Sequence, residues 1–195
     1  MAKQNDPRRR YLEIAAHHFA ERGFHGVTLA ALADEADVTK QALLHFFSTK
    51  ERLYVEVLAR LAERLSSKID EIEALTPEQL LVTYFEAHTS GALSRPDDAR
   101  LVIRALLDID AAAKVSPLKP YLDKLVSVAQ ETDRWKDFPQ EEVLAGLYQL
   151  IGAIQYFAIS TPALKGMYGA AARNNLAAHF SERSRAAVSD FVGCR

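Results

Sequence analysis

Apolar residues along this chain recur every three to four positions and almost nowhere every second one, so the pattern predicts helices and no convincing strand. A first helix at about 8–22 carries one stripe of Leu12, Ala15, Ala16, Phe19 and Ala20, with Gly23 as a left-handed stop. Thr28 stands as N-cap before Leu29, Leu32, Ala33 and Ala36, and a short third helix at about 39–46 follows Asp37 and Val38. From Thr49 an amphipathic helix is expected to run to about Leu75, roughly 40 Å at 1.5 Å per residue. Its stripe is Leu53, Val57, Leu58, Leu61, Leu65, Ile69 and Ile72, opposite Glu56, Arg60, Glu63, Arg64, Lys68 and Glu71. Thr76-Pro77-Glu78-Gln79 reads as a capping box with proline at the first helical position. Gly91 to Pro96 reads as a break, with Asp97 and Asp98 suited to the next positive N-terminus. Ser116-Pro117 opens another helix, its first full turn delayed by Pro120. Pro139 opens a strongly apolar one to about Ser160, Thr161 to Gly169 is read as a loop, and a last helix spans about 170–192. The expectation is an all-α fold of about nine helices.

Composition sharpens this. Glycine (8) and proline (7) are scarce among 195 residues and 49% are hydrophobic, which supplies a core and disfavours a turn-rich β fold. No apolar run reads as the roughly 20 residues of a membrane helix, the charged MAKQNDPRRR start is unlike a secretory signal, and the single Cys194 suits a reducing cytosol. A cytoplasmic protein with no membrane partner is expected. Net charge is −2, but residues 1–54 hold eight Lys/Arg against seven Asp/Glu, with Lys3, Arg8, Arg9 and Arg10 at the very start. A short basic arm therefore precedes the first helix.

The informative stretch is Thr28 to Leu53. Two short helices separated by a couple of residues must cross steeply, as in a helix-turn-helix. Ala33 is small where the helices cross, Asp37 tolerates the left-handed turn, Val38 plugs the angle, and Leu43 and Phe46 are expected to face inward. Thr39 can cap the second helix, leaving Lys40, Gln41, Leu44 and His45 outward. Gln can pair with adenine, Lys with guanine or phosphate, and apolar atoms with the thymine methyl. Thr28 and Lys50 flank the unit where phosphates can be gripped, and Arg8, Arg9 and Arg10 can add backbone or minor-groove contacts.

These residues carry a resemblance. Residues 8–54 resemble the DNA-binding domain of the TetR family of regulators: an aromatic-and-alanine first helix, Gly23-Phe24 and Gly26-Val27-Thr28 before the motif, Val38-Thr39-Lys40 opening the reading helix, and Phe47, Lys50, Glu51 and Leu53 closing it. The resemblance covers about a quarter of the chain. It implies a DNA-binding domain at 1–48 and a helical ligand-binding and dimerisation domain at 49–195. It also implies a homodimer on double-stranded operator DNA whose last two helices form a four-helix bundle, and a small-molecule effector of unknown identity that alters the spacing of the reading heads. The family commonly has a small pair at 41–42 and Tyr-Tyr-His at 44–46; here stand Gln41, Ala42, Leu44, His45 and Phe46, so His45 occupies the place of a phosphate-binding tyrosine.

The last two helices look like an interface, with Leu147, Ile151, Ile154, Phe157, Leu176, Phe180 and Phe191 as candidate contacts. Tyr84, Phe85, His88, Tyr121 and Trp135 among aliphatics can line an effector pocket, although core packing explains each equally well. No catalytic residue, cofactor or metal is expected. Glu13 and His17 form one i, i+4 pair without the third ligand zinc requires, and no glycine-rich phosphate loop or Gly-x-Ser-x-Gly turn is present. The sequence thus points to a repressor released from its operator by an effector, with a helical regulator or interaction protein lacking a small-molecule switch as the alternative.

Overall fold

A computed structural model describes residues 6–74, 76–107 and 116–193. The described residues form eight helices: α1 (Pro7–Arg22), α2 (Leu29–Glu35), α3 (Lys40–Phe47), α4 (Lys50–Asp70), α5 (Pro77–Ser94), α6 (Pro96–Leu107), α7 (Lys119–Gln130) and α8 (Gln140–Val192). Lys3, Leu75 and Cys194 lie outside the described residues. The chain divides into two compact units, Met1–Glu63 with Arg100–Leu118, and Arg64–Ala99 with Lys119–Arg195, so α4 and α6 each contribute to both.

In the first unit, local chemistry sets the helix boundaries. Asp6 accepts from the Arg8 N–H at 3.0 Å, and Thr28 and Thr39 accept from the N–H groups of Ala31 and Ala42, each at 3.2 Å. Gly23 ends α1 at φ +69°, where the guanidinium of Arg104, which also donates to the Glu21 carbonyl at 3.0 Å, closes over it. The core is Leu12, Ala15, Phe19, Leu32, Ala33, Leu43, Phe47, Leu53, Tyr54 and Leu58, all buried. Phe19 meets Tyr54 edge-on at 4.8 Å between centroids.

The second unit packs α5 along α8, with α7 against both. α8 is interrupted by Gly169 (φ 84°, ψ 167°), and the chain reverses there. Phe157 and Phe180 stack with centroids 4.0 Å apart, and a β-carbon on Gly146 would come within 2.6 Å of the Phe191 ring. Both pairs are symmetric about residues 168–169, so the two segments run antiparallel. Trp135 donates its indole N–H to the Phe191 carbonyl at 2.7 Å.

Several sequence expectations are corrected. α4 stops at Asp70 rather than Leu75. Asp70, Glu71 and Glu73 crowd the negative end of the helix, and Ile72 turns back onto the Ile69 carbonyl. α5 runs through Gly91 to Ser94, whose hydroxyl donates to the Ser90 and Gly91 carbonyls, and only Arg95 separates it from α6 because the residue before Pro96 disfavours helix. The stretch from Thr161 to Tyr168 is helical rather than a loop. Pro162 lacks an N–H, and the hydroxyls of Ser160 and Thr161 both donate to the Phe157 carbonyl at 3.1 Å. α8 also holds an 18-residue window of mean hydropathy 1.4, apolar and long enough by composition to cross a membrane. Its Leu147, Ile151 and Ile154 are buried inside the unit, as in a core helix.

Candidate nucleic-acid interface

The turn between α2 and α3 is closed by the Val38 N–H on the Ala33 carbonyl at 3.0 Å, with Asp37 at φ +54°. Glycine would adopt that angle more easily, but a short polar side chain tolerates it. α3 has eight residues, about 12 Å of axis. Leu43 and Phe47 anchor it in the core, so Lys40, Gln41 and His45 emerge exposed on the other side, with Leu44 half-buried between the faces. Phe46, expected to point inward, does not. Phe47 takes that position, and Phe46 lies at the edge of α3, 38% exposed, with its ring edge-on to Tyr11 at 5.3 Å. The helix ends abruptly at Ser48 (φ 62°, ψ −49°), where the Thr49 N–H bonds the Phe47 carbonyl at 2.7 Å in a tight, strained turn.

The flanking cations are less free than the sequence implies. Arg8 pairs with Glu56 and lies over the Phe47 ring at 5.3 Å, and Arg9 pairs with Glu13 at 2.9 Å. Arg10 is exposed at the start of the same helix. Lys50 donates to the carbonyls of Phe24 and Val27 at 3.1 and 3.0 Å and sits 4.2 Å from the Phe24 ring centroid, so most of its donor capacity braces the loop before α2. A tie that sequence reasoning missed joins α1 to α2: buried His18 Nε2 meets Glu35 at 2.5 Å, which holds the Glu35 carboxyl below the usual carboxylate range. Only its place on the apolar stripe of α1 distinguishes His18 in the sequence from exposed His17.

This geometry coincides with known proteins. Residues 12–57 match the family model described as bacterial regulatory proteins, tetR family. Residues 12–57 are thus a DNA-binding domain of the TetR type. The HTH-type transcriptional repressor KstR2 of Rhodococcus jostii (strain RHA1) is 35% identical over 101 residues, 47% of this chain and 50% of that protein. KstR2 of Mycolicibacterium smegmatis is 30% identical over 141 residues, 71% of this chain and 65% of the relative. The matches thus span half to two thirds of these relatives' own length. A TetR-family transcription regulator from Shewanella sp. PV-4 superposes with a TM-score of 0.70 over 94% of this chain and 96% of that one; at 20% identity it shows the shared fold.

In the second unit, Tyr84, Phe85, His88 and Tyr121 come together in the core, all nearly inaccessible. The Tyr84 and Tyr121 hydroxyls are 2.8 Å apart, and His88 stacks on Tyr84 at 5.7 Å. Burial pushes both phenols well above the usual tyrosine range. Burial first, then the nearby Lys68 ammonium, lowers the His88 imidazole to about 4 against the pull of Asp98. His88 Nε2 is buried without a hydrogen-bond partner. Trp135 stands apart, packed on Phe191 and Phe138.

The candidate interface residues also separate. Leu147, Ile151, Ile154 and Phe157 are buried within the chain, and Phe180 and Phe191 are half-buried against Phe157 and Trp135. A side chain with no exposed surface has nothing to offer a second copy, so these first four belong to the core. Among the residues α8 leaves exposed are Tyr148, Gly152 and Tyr156 on its first segment, Met167 and Tyr168 at the reversal, and Leu176 on its second segment. The spacing of four residues between Tyr148, Gly152 and Tyr156 places them on one stripe.

Proposed function

We propose that this chain is a transcriptional repressor that binds an operator as a homodimer and is released by a small-molecule effector. Residues 1–48 read DNA and 49–195 dimerise and respond. α3 enters the major groove, where Lys40 and Gln41 supply donors to base edges, Leu44 contacts a thymine methyl, and His45 takes the phosphate position next to Phe46. Thr28 and Thr39, at the N-termini of α2 and α3, and Arg8–Arg10, which form the first turn of α1 rather than an arm ahead of it, meet the backbone, and Lys50 joins them with the donor capacity its two carbonyl bonds leave. The single observation that carries this reading is a short capped helix, anchored by Leu43 and Phe47, whose Lys40, Gln41 and His45 are all solvent-facing. The relatives' description as HTH-type transcriptional repressors supports repression as the outcome.

Dimerisation uses the Tyr148, Gly152, Tyr156 and Leu176 surface of α8. It places two α3 helices on half-sites about one helical turn, roughly 34–36 Å, apart. The effector acts by binding one spacing better than the other, which shifts the population away from the operator-competent form. It binds where the Tyr84, His88 and Tyr121 cluster opens to admit it, and His88 Nε2 offers an unsatisfied buried acceptor or donor. The protein works where the chromosome is, in the cytoplasm.

The test is selection of duplexes from a random-sequence pool, followed by titration of the enriched duplex and a scrambled one. A dimer on two half-sites binds the enriched duplex at least about a thousandfold more tightly. Equal affinity for both duplexes at every salt concentration would overturn the reading.

A further inference from the structure

The start of α1 and the outer face of α4 bound a groove of about 450 Å³ lined by Arg8, Leu12, Glu56, Ala59, Arg60 and Glu63. Its rim is a chain of alternating charges. Glu56 holds Arg8, Glu13 holds Arg9 at 2.9 Å, and Arg60 lies 3.8 Å from Glu13. Arg8 also covers the ring of Phe47, the core-facing last residue of the reading helix, so it lies beside the end of that helix rather than among Lys40, Gln41 and His45. We propose that Glu56 is a built-in competitor for DNA phosphate: it occupies Arg8 in the free protein, and binding requires Arg8 to exchange this carboxylate for a backbone phosphate. The inference rests on the DNA-binding reading and adds to it a residue outside the helix-turn-helix that sets affinity.

The chemistry permits the exchange. Carboxylate and phosphate present oxygen pairs of similar geometry to a guanidinium, so Glu56 is a local phosphate mimic. The pair is partly exposed, with side chains 45% and 31% accessible, and exposed pairs are weak enough to open. A duplex carries a charge every 1.7 Å or so and outcompetes a single carboxylate by density of charge. Glu56 is not stranded afterwards. Arg60 lies four residues further along α4, in the favoured order with the acid nearer the N-terminus, and its present contact with Glu13 is loose. The swap therefore leaves each carboxylate beside a cation.

Fluorescence anisotropy on the enriched and scrambled duplexes, across a salt series, tests this. Glu56→Gln is expected to bind both duplexes about two- to fivefold more tightly at low salt, the range an exposed pair can supply. The gain is the same on both because phosphate contacts carry no base information. It shrinks as salt screens the pair in the wild type. In an Arg8→Ala background the same substitution gives no gain, since the competitor then has nothing to hold. Glu63→Gln, two turns along α4 on the same groove, gives clearly less than Glu56→Gln. Circular dichroism confirms that the variants remain helical, and Glu56→Ala repeats the measurement with a second side chain. No gain from Glu56→Gln, a gain that survives Arg8→Ala, or an equal gain from Glu63→Gln overturns the proposal. A wild type that binds the two duplexes equally removes the sequence-specific reading alone, because the exchange is measured on either duplex.

Discussion

Replacing His88 should remove a defined part of the acid sensitivity of this protein. Its imidazole has an ordinary value of 6.5 and is lowered to about 4 in the folded chain, chiefly by burial and secondly by Lys68, with Asp98, itself paired to Arg64, opposing. The folded state therefore keeps His88 neutral where the unfolded chain takes up a proton. Between pH 6.5 and about 4 the unfolded state binds more protons, so stability is complete above pH 6.5 and is lost as pH falls through that window. A gap of this size corresponds to about 3 kcal/mol below pH 4, of which about 2 kcal/mol has already gone at pH 5. The variant His88→Phe keeps a ring stacked on Tyr84 and removes both the titration and the orphaned Nε2. Urea unfolding at pH 7.5 and pH 5.0, at fixed protein concentration, gives the stability change for each protein. The wild type should lose about 2 kcal/mol more than the variant, the remaining histidines cancelling between them. At pH 7.5 the variant should match or exceed the wild type, since a buried polar atom without a partner has been deleted. Identical pH dependence in the two proteins would refute the reasoning, because it would mean that His88 reaches water in the folded state.

Other outcomes follow from single contacts. Asp37→Gly relieves a left-handed aspartate and should raise stability by about 0.5–1 kcal/mol, measured by thermal or urea unfolding, without changing operator affinity. Glu35→Gln removes a carboxyl held below its usual 4.5 by His18. Its folded value is depressed, so the stability it contributes is present above pH 4.5 and fades as pH falls through the folded value; wild type and variant should converge in acid unfolding. Gly146→Ala drives a methyl into the Phe191 ring and should cost about 1–2 kcal/mol; since Trp135 is the only tryptophan and lies 4.9 Å from that ring, its fluorescence should shift as well. Lys40→Ala with Gln41→Ala should weaken specific binding by about 1–3 kcal/mol per lost base contact and leave the unfolding midpoint nearly unchanged.

The parts of the fold that were legible in the sequence are those decided within a few residues. Thr28, Thr39 and Thr76 announce their helices because a hydroxyl at the N-cap reaches an N–H three positions on, and the observed bonds are all 3.2 Å. Asp37 marks the turn because few side chains accept a positive φ. Gly91 misled because an isolated glycine costs a helix only about 1 kcal/mol, which packing of Ala92 and Thr89 into the core outweighs. Thr161-Pro162 misled because one proline removes only the helical bond to the Ala158 carbonyl, and the chain turns seven residues later at Gly169, where a positive φ is needed.

Contacts between distant residues set the limit. Arg8 and Glu56 are 48 positions apart and His18 and Glu35 are 17 apart, and no periodicity encodes either pair. The same limit explains α8. Its sequence is apolar on more than one face, and periodicity cannot say which face meets the chain's own core. The structure places Leu147, Ile151 and Ile154 inward in the unit that packs α8 on α5 and α7, so the proposed dimer surface falls to exposed residues such as Tyr148, Gly152 and Tyr156. That residual face mixes two phenols with a glycine rather than presenting a row of aliphatics. It is the composition expected where backbones approach closely and hydroxyls remain hydrated at the rim. A leucine-only surface there would have bound any apolar patch. Tyrosines flanking a glycine demand a partner that matches their shape, and an identical copy related by a two-fold axis presents that shape twice.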